Sequence, residues 1–235
     1  MAASGTVRRL TPEPVGELDP SALASAYTDP GRARVAGRPW VVVNMIASAD
    51  GATALDGRSG GLGGPGDRAV FAVLRSLADV ILVGAGTVRA EGYGPPKKQG
   101  QRIAVVSRTG DLDWDSELFT SGAGLPVLPE DGPKVPVPAI RSGQRGVDLA
   151  GALPLLMGDV VLVEGGPTLN AQLAEAGLID ELCLTVAPVL VGGQAKRILS
   201  GPPVTVPPMR LAHVLEEDGF LFCRYVRSDH GTARR

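Results

Sequence analysis

Apolar runs alternate with amphipathic segments along most of this 235-residue chain. Residues 39–46 are apolar and rich in β-branched side chains, which is typical of a strand buried on both faces. Residues 66–78 place Val70, Leu74 and Leu77 along one face of a predicted helix. Short apolar runs predict further buried strands at 80–83, 102–107 and 159–163.

The same alternation continues towards the carboxyl end. Residues 167–176 predict a helix that stops at Gly177, since glycine commonly follows the last helical turn. Residues 181–187 predict a strand, and residues 210–215 and 220–226 predict an antiparallel hairpin. The whole pattern predicts an α/β protein of three αβα layers, with a mostly parallel central sheet that ends in this hairpin.

The ends and one internal stretch differ in composition from this pattern. Residues 1–36 are polar and rich in proline and alanine, and predict an arm that contains a short helix at 19–27. One domain is expected over residues 37–228, followed by a frayed tail at 229–235. Residues 121–150 are rich in glycine and proline, and predict a surface excursion with one short strand at most.

Composition argues against several classes of protein. The net charge of −2 gives no general attraction to nucleic acid or to an anionic membrane. No stretch approaches the roughly 20 apolar residues of a membrane helix, and residues 1–10 lack an apolar signal core. A cytoplasmic location is therefore expected.

Cysteine and histidine are too few to suggest a metal site. Cys183 and Cys223 each lie in an apolar run and are expected to be buried free thiols. No paired-cysteine motif suggests zinc. His213 and His230 are expected to be neither catalytic residues nor ligands, so no metal is predicted.

Three glycine-containing turns each follow a predicted strand, at residues 47–51, 83–88 and 163–169. Ligands of open α/β sheets bind beyond the carboxyl ends of the strands, where three such turns would share one cleft. In the third turn, Gly165 and Gly166 leave room for a ligand beside the backbone, and Pro167 suits the first position of a helix. The helix start, with the Thr168 hydroxyl, favours a pyrophosphate. The alternative is an ordinary strand-to-helix turn.

The second turn offers the same chemistry through Gly84, Gly86 and Thr87, without the lysine of a P-loop or the spacing of a dinucleotide fingerprint. Cofactor contacts are predicted there as well.

Four charged residues near the turns are candidates for chemistry. Asp50 is either a capping carboxylate or a ligand contact, and Asp67 either favours a helix start or faces the cleft. Arg108 either reads a 2′-phosphate or is a solvated cation. Glu164 ends an apolar strand and precedes two glycines that offer no side-chain partner, so a hydrogen bond to a substrate N–H or ribose hydroxyl is expected.

Together these segments resemble the reductase domain of riboflavin biosynthesis, which belongs to the dihydrofolate-reductase-like superfamily. The resemblance runs from residue 39 to residue 226 and is carried by residues 47–51, 74–87, 106–108, 163–169 and 187–193. It implies a dihydrofolate-reductase-like fold, NADPH as the cofactor, a homodimer and a small heterocyclic substrate. The implied reaction reduces 5-amino-6-(5-phosphoribosylamino)uracil by hydride transfer.

The resemblance also implies roles for individual residues. Those implied for the nucleotide site are Ala47, Gly61, Thr87, Glu91, Ser107, Gly165, Gly166, Pro167, Thr168 and Leu169. Those implied for the substrate site are Ser59, Arg75 and Glu164. Three hypotheses stand for the group that relays the proton of the reduction, which are Asp67, Asp50 and an ordered water.

This sequence departs from the family pattern in two places. Ala52 stands where the family often has lysine, and Glu91 stands where it often has aspartate. The sequence also lacks the His-x-Glu and Pro-Cys-x-x-Cys motifs of the zinc deaminase that often accompanies this reductase, so deamination is not expected. Two alternatives stay open, which are reduction of a folate or pterin C=N bond and nucleotide binding without turnover.

Overall fold

A computed structural model describes residues 8–11, 15–55, 57–205 and 207–228. The predicted tail at 229–235, with His230, lies outside these residues. The strands are β1 (Arg8–Thr11), β2 (Val15–Glu17), β3 (Trp40–Ser48), β4 (Val80–Gly84), β5 (Arg102–Val106), β6 (Gly124–Leu128), β7 (Ile140–Arg141), β8 (Val160–Val163), β9 (Glu181–Ala187), β10 (Met209–Glu217) and β11 (Phe220–Arg227). The helices are α1 (Pro20–Tyr27), α2 (Pro65–Leu77), α3 (Ala85–Glu91), α4 (Glu117–Thr120), α5 (Leu149–Ala152), continued by a 3-10 turn at Leu153–Leu155, and α6 (Pro167–Glu175).

The strands of the described residues form one sheet in the order β2-β1-β10-β11-β9-β3-β8-β4-β5-β6-β7. The seven strands from β9 to β7 in this order run parallel, and the remaining pairs are antiparallel. The predicted mostly parallel sheet with an antiparallel carboxyl-terminal hairpin is therefore confirmed. The hairpin turns at Asp218 and Gly219, both with positive φ, as a two-residue turn requires.

Helices cover both faces of the sheet because its central strands are apolar on both sides. Val41 and Val43 pack in one core cluster with side chains of α5 and α6. Val42, between them, points the other way and packs with side chains of α1 and α2. A third cluster places β4 and β5 against α4. This gives the predicted three layers.

Residues 121–150 contribute more to the sheet than their composition predicts. The expectation of a surface excursion with one short strand at most is wrong, because β6 and β7 both extend the sheet beyond β5. Val127 and Leu128 are almost fully buried. A strand of five residues that begins at a glycine and contains a proline carries a weak local signal, and pairing with β5 defines it.

The amino-terminal region also joins the sheet. Its predicted helix is confirmed as α1, where the Asp19 carboxylate caps the backbone N–H groups of Ser21 and Ala22. Beyond the expected arm, β1 pairs with β10, and β2 pairs with β1. No helix of the described residues combines the length and apolar character needed to cross a membrane.

A cluster of buried charges lies where the amino-terminal region meets β9 and β11. Glu181 is fully buried and accepts hydrogen bonds from Arg32 and Arg224, with donor–acceptor distances between 2.5 and 3.3 Å. Arg224 also bonds Asp29 at 2.8 Å. Burial raises the pKa of Glu181, but the hydrogen bonds from the two arginines outweigh it, and the net shift is downward. Each of these buried charges therefore has a partner.

The structure buries both cysteines and the one histidine that it describes. Cys183 and Cys223 are buried free thiols, as predicted. His213 lies in β10, buried edge-on against the Tyr27 ring at 4.9 Å between ring centroids. Within the described ranges, no group of three or more His, Cys, Asp or Glu side chains is arranged to hold a metal ion.

Candidate functional site

A cleft of about 1140 Å³ lies beyond the carboxyl ends of the parallel strands. Neighbouring strands β3, β8 and β4 each run into one of the three glycine turns, so the turns meet at one edge of the sheet. The segment 191–196, which follows β9, lines the cleft as well. The sequence prediction that the turns share one cleft is consistent with this geometry.

Two of the glycine turns are in direct contact. The Gly84 N–H donates to the Gly165 carbonyl at 2.7 Å, and the Gly165–Gly166 peptide bond is cis. A Cβ on Gly166 would lie 2.8 Å from the Thr87 Oγ1, whereas a Cβ on Gly86 would meet nothing within 4 Å. A side chain at position 166 would therefore crowd the Thr87 hydroxyl, and Gly86 leaves backbone open to the cleft.

Helix α6 begins at this contact and can hold an anion at its start. Gly166 is the N-cap, Pro167 is the first helical residue, and no side chain caps the backbone N–H groups. These N–H groups and the helix dipole suit a phosphate. The residues present therefore fit the pyrophosphate of a dinucleotide.

Glu164 has more side-chain company than its sequence neighbours suggest. Its carboxylate accepts two hydrogen bonds from Arg75, both at 2.7 Å, and one from the Tyr93 hydroxyl at 2.7 Å. The Arg75 guanidinium also lies 4.5 Å from the centroid of the Phe71 ring. The expectation that Glu164 lacks a protein partner is wrong, because α2 and the segment after α3 bring partners from elsewhere in the chain. All four side chains line the cleft.

Ser59 and Glu91, which the resemblance assigns to different ligands, touch each other. The backbone N–H and the hydroxyl of Ser59 both donate to Glu91 Oε1 at 3.0 Å. Both residues line the cleft. The pair therefore joins the loop before α2 to the end of α3 in the wall of the cleft.

Asp67 faces the cleft from the first turn of α2. Its Oδ1 accepts a hydrogen bond from the Thr185 hydroxyl at 2.8 Å. Burial raises the pKa of Asp67, and the Thr185 bond together with the charge of Arg68 offsets only part of that rise. Two aspartates were predicted as possible proton relays. Of these, Asp67 is the one that lines the cleft, and its raised pKa means that it holds a proton more readily than an ordinary aspartate.

Asp50 has a different environment. Its carboxylate accepts hydrogen bonds from the Ser48 hydroxyl at 2.5 Å and from the backbone N–H groups of Val191 and Gly192 at 3.1 and 2.7 Å. The Ser48 bond, helped by these two N–H groups, lowers the pKa of Asp50 to about 2. The expectation that Asp50 relays a proton is therefore not supported by its geometry, which instead ties the loop after β3 to the segment after β9.

Ser107 and Arg108 lie at the same edge, after β5. The Ser107 hydroxyl is buried and accepts the Gly110 N–H at 3.0 Å, whereas Arg108 is exposed. Neither lines the cleft wall.

The residues that the sequence predicted for the site divide into two groups. Of all the residues predicted for the site, those that line the cleft are Ser59, Asp67, Arg75, Gly86, Thr87, Glu91, Glu164, Gly166 and Pro167. Those that do not line the cleft are Ala47, Asp50, Gly61, Gly84, Ser107, Arg108, Gly165, Thr168 and Leu169.

The family lysine is absent at position 52, and cations from other parts of the chain line the cleft. Ala52 is buried, and its N–H donates to the Ser48 hydroxyl. The next residue, Thr53, donates through its N–H and its hydroxyl to the carbonyl of Lys196. Lys196 lines the cleft together with Arg68 and Lys97, so cations from three segments face it.

Sequence reasoning missed the aromatic and basic part of this cleft. Phe71, Tyr93, Lys97 and the segment 191–196 all line it but were not predicted. One sequence signal was available, the motif Gly92-Tyr-Gly-Pro95. Its tyrosine lies between two glycines, directly after helix α3, whose N-cap is also a glycine.

Comparison with known proteins gives a consistent result. A sequence model of the RibD C-terminal domain matches residues 39–219. The chain is 29% identical over 180 residues to a 2,5-diamino-6-ribosylamino-4(3H)-pyrimidinone 5′-phosphate reductase of Methanothermobacter thermautotrophicus, covering 69% of this chain and 83% of the relative. It is 31% identical over 189 residues to riboflavin biosynthesis protein RibD of Chlamydia trachomatis, covering 71% of this chain but only 50% of that protein.

One solved structure illustrates the shared fold. A pyrimidine reductase-like protein from Corynebacterium diphtheriae superposes with a TM-score of 0.76 over 89% of this chain and 98% of that one, at 21% sequence identity. At that identity the similarity concerns the fold alone.

Proposed function

Because the chain belongs to the RibD C-terminal domain family, we propose that it is an NADPH-dependent reductase of a phosphorylated ribosylaminopyrimidine. The substrate we favour is 5-amino-6-(5-phosphoribosylamino)uracil, and the archaeal relative is named for a related pyrimidinone phosphate. The observation that carries the proposal is one cleft that contains both the glycine cradle and the Arg75–Glu164 pair.

The cradle supports a dinucleotide cofactor. The start of α6 offers backbone N–H groups to the pyrophosphate, and Gly166 and Gly86 keep side chains out of its path. We assign Arg108 to the 2′-phosphate that distinguishes NADPH from NADH, because a guanidinium binds a phosphate through two parallel hydrogen bonds. When bound, NADPH supplies the hydride and thereby the two electrons of the reduction.

The chain's own residues orient the substrate and supply the proton. Arg75 and Glu164 hold the heterocycle, and Lys196, Arg68 and Lys97 give the positive potential that its phosphate needs. Asp67 delivers the proton that completes the reduction of the open-chain carbonyl or C=N bond, since its raised pKa keeps it protonated closer to neutral pH.

A second candidate rests on Asp67 itself. Its Oδ1 is oriented by Thr185, and Asp67 stands at the start of α2 in the cleft wall. Such a carboxylate suits the amino-imine edge of a pterin, so reduction of a pterin or folate C=N bond is the competing function. Asp50 does not suit the amino-imine edge of a pterin, because both of its oxygens already accept backbone or hydroxyl hydrogen bonds.

One experiment separates these functions. The purified protein is mixed with NADPH and either the ribosylaminopyrimidine phosphate or dihydrofolate, and the near-ultraviolet absorbance of NADPH is followed over time. Faster consumption with the pyrimidine supports the proposal, and faster consumption with dihydrofolate supports the second candidate. Saturable NADPH binding without consumption of either would leave the third alternative, a nucleotide-binding module without turnover.

We further propose that the protein acts as a cytoplasmic homodimer without nucleic-acid partners. The exposed apolar side chains of Val189 and Leu190, with 44% and 80% of their surface accessible, support an interface beside the cleft. Light scattering after size-exclusion chromatography tests this. A monomeric mass at micromolar concentration would contradict the proposed dimer.

A further inference from the structure

Tyr93 is a cleft residue that none of the family-derived roles uses. It follows Gly92, whose left-handed conformation ends α3. Its hydroxyl donates to Glu164 Oε2 at 2.7 Å, and its ring centroid lies 5.5 Å from the Arg75 guanidinium carbon. Burial, followed by the nearby Glu164 charge, raises the pKa of Tyr93, so the hydroxyl stays a donor.

The Tyr93 bond limits what Glu164 can still accept. An ionised carboxylate has about four acceptor positions, two on each oxygen. Oε1 accepts one hydrogen bond, from Arg75 Nε, and Oε2 accepts two, from Arg75 Nη2 and Tyr93. The single acceptor position that remains is therefore on Oε1.

Arg75, in contrast, still has donors to offer. A guanidinium carries about five N–H groups, and the Glu164 pair uses one on Nε and one on Nη2. Within the part of the chain that is described, no protein acceptor bonds the others, and 29% of the Arg75 side chain is exposed in the cleft.

The free position on Glu164 Oε1 can accept one donor, which fits a single ring N–H or hydroxyl of a bound ligand. An amidine edge presents two N–H donors side by side, and it would need a free acceptor position on each oxygen of the carboxylate. Oε2 of Glu164 has none while Tyr93 donates to it.

We propose that Tyr93 is a positioning residue that acts through Glu164. By occupying Oε2 it leaves Glu164 a single acceptor, so that Glu164 selects a heterocycle that presents one ring N–H over one that presents an amidine edge. This inference rests on the proposed function, because the ring of the proposed pyrimidine substrate carries such an N–H. Tyr93 itself need not touch the substrate.

The direct test is Tyr93→Phe, which removes the hydroxyl and keeps the ring against Arg75. Without the hydroxyl, Glu164 is less firmly oriented and its second oxygen is released. We expect KM for the pyrimidine to rise about fivefold, with kcat and the NADPH dissociation constant within about twofold of wild type. Tyr225→Phe is the matched control, since Tyr225 lies on β11 and does not line the cleft.

A ligand comparison reports selectivity separately from stability. Calorimetric titration with the pyrimidine and with its analogue methylated at the ring N–H should show a wild-type preference of about tenfold or more for the unmethylated ligand. In Tyr93→Phe we expect this preference to fall by about threefold or more. An unchanged preference and KM in Tyr93→Phe would overturn the proposal.

A double variant tests whether the effect of Tyr93 on substrate binding depends on Glu164. If Tyr93 acts through Glu164, adding Tyr93→Phe to Glu164→Gln should raise KM less than it does in the wild-type background. Equal increases in both backgrounds would contradict action through Glu164.

The outcomes also distinguish this inference from the proposed function. If the wild-type protein binds the pyrimidine but does not reduce it, the proposed function is wrong, and the titrations of Tyr93→Phe still decide the role of Tyr93. If the wild-type protein does not bind the pyrimidine at all, the inference about the single ring N–H is wrong as well.

Discussion

The backbone N–H of Gly84 donates to the carbonyl of Gly165 at 2.7 Å, which locks the turn after β4 to the turn after β8. Because of this contact, the two turns form one surface at the start of α6. The glycines of this surface leave no side chain between the backbone and a bound phosphate.

The first prediction concerns this surface. Gly166→Val places a Cβ 2.8 Å from the Thr87 hydroxyl and its methyl groups in the path of the pyrophosphate. We expect NADPH affinity measured by calorimetry to fall by at least about tenfold, or 1.4 kcal/mol, without loss of fold. Gly146→Ala is the control, because a Cβ there meets nothing within 4 Å and the residue lies outside the cleft. Wild-type affinity in Gly166→Val would place the cradle elsewhere.

Cofactor choice is predicted to depend on Arg108. Arg108→Ala removes a charge-assisted contact to the 2′-phosphate, which should weaken NADPH binding by about 1.5–3 kcal/mol and leave NADH binding unchanged. Dissociation constants for both cofactors measure the difference. Arg145→Ala, at another exposed cation outside the cleft, should affect neither cofactor. Equal weakening for NADPH and NADH in Arg108→Ala would remove Arg108 from this role.

The pH dependence of turnover is predicted to follow Asp67. A proton donor must be protonated to act, so kcat should fall as pH rises through the raised pKa of Asp67. Thr185→Val removes the hydrogen bond that lowers this pKa, and the fall in kcat should therefore move to higher pH. Asp67→Asn should lower kcat by about a hundredfold and abolish this part of the profile. A pH–rate profile unaffected by both variants would exclude Asp67 as the donor.

Stability is predicted to depend on the buried charges around Glu181. Glu181→Gln leaves Arg32 and Arg224, whose side chains are 4% and 8% exposed, without their shared carboxylate. Removing one member of a buried ion pair costs about 3–5 kcal/mol, so denaturant unfolding should show a large loss. Glu216→Gln, which breaks an ion pair to the 60% exposed Arg8, should cost about 0–1 kcal/mol.

The direction in which stability changes as pH falls follows from the same cluster of buried charges. The pKa of Glu181 is lowered in the folded protein, so its contribution to stability is present above the unfolded pKa and lost as pH falls through the folded one. The wild-type protein should therefore lose more stability between neutral and acid pH than Glu181→Gln does. A parallel loss in both proteins would contradict this assignment.

Local pattern alone determined most elements of this fold. The apolar run that became β3 and the helical spacing that became α2 are signals within a dozen residues, and the structure places both close to their predicted bounds. The glycines after β4 and β8 also predicted turns at one edge, since the connections of a parallel sheet bring the carboxyl ends of its strands together. β6 escaped prediction because its identity depends on pairing with β5 rather than on its own residues.

The partners of the polar side chains were decided by tertiary structure only. Glu164 meets Arg75 and Tyr93 from positions 89 and 71 residues away, and Asp50 meets Gly192 across 142 residues. The sequence predicted that a carboxylate after an apolar strand needs a partner, because desolvation of an unpaired charge is costly. It did not predict which side chain would serve, because that depends on how α2 and the end of α3 pack against the sheet.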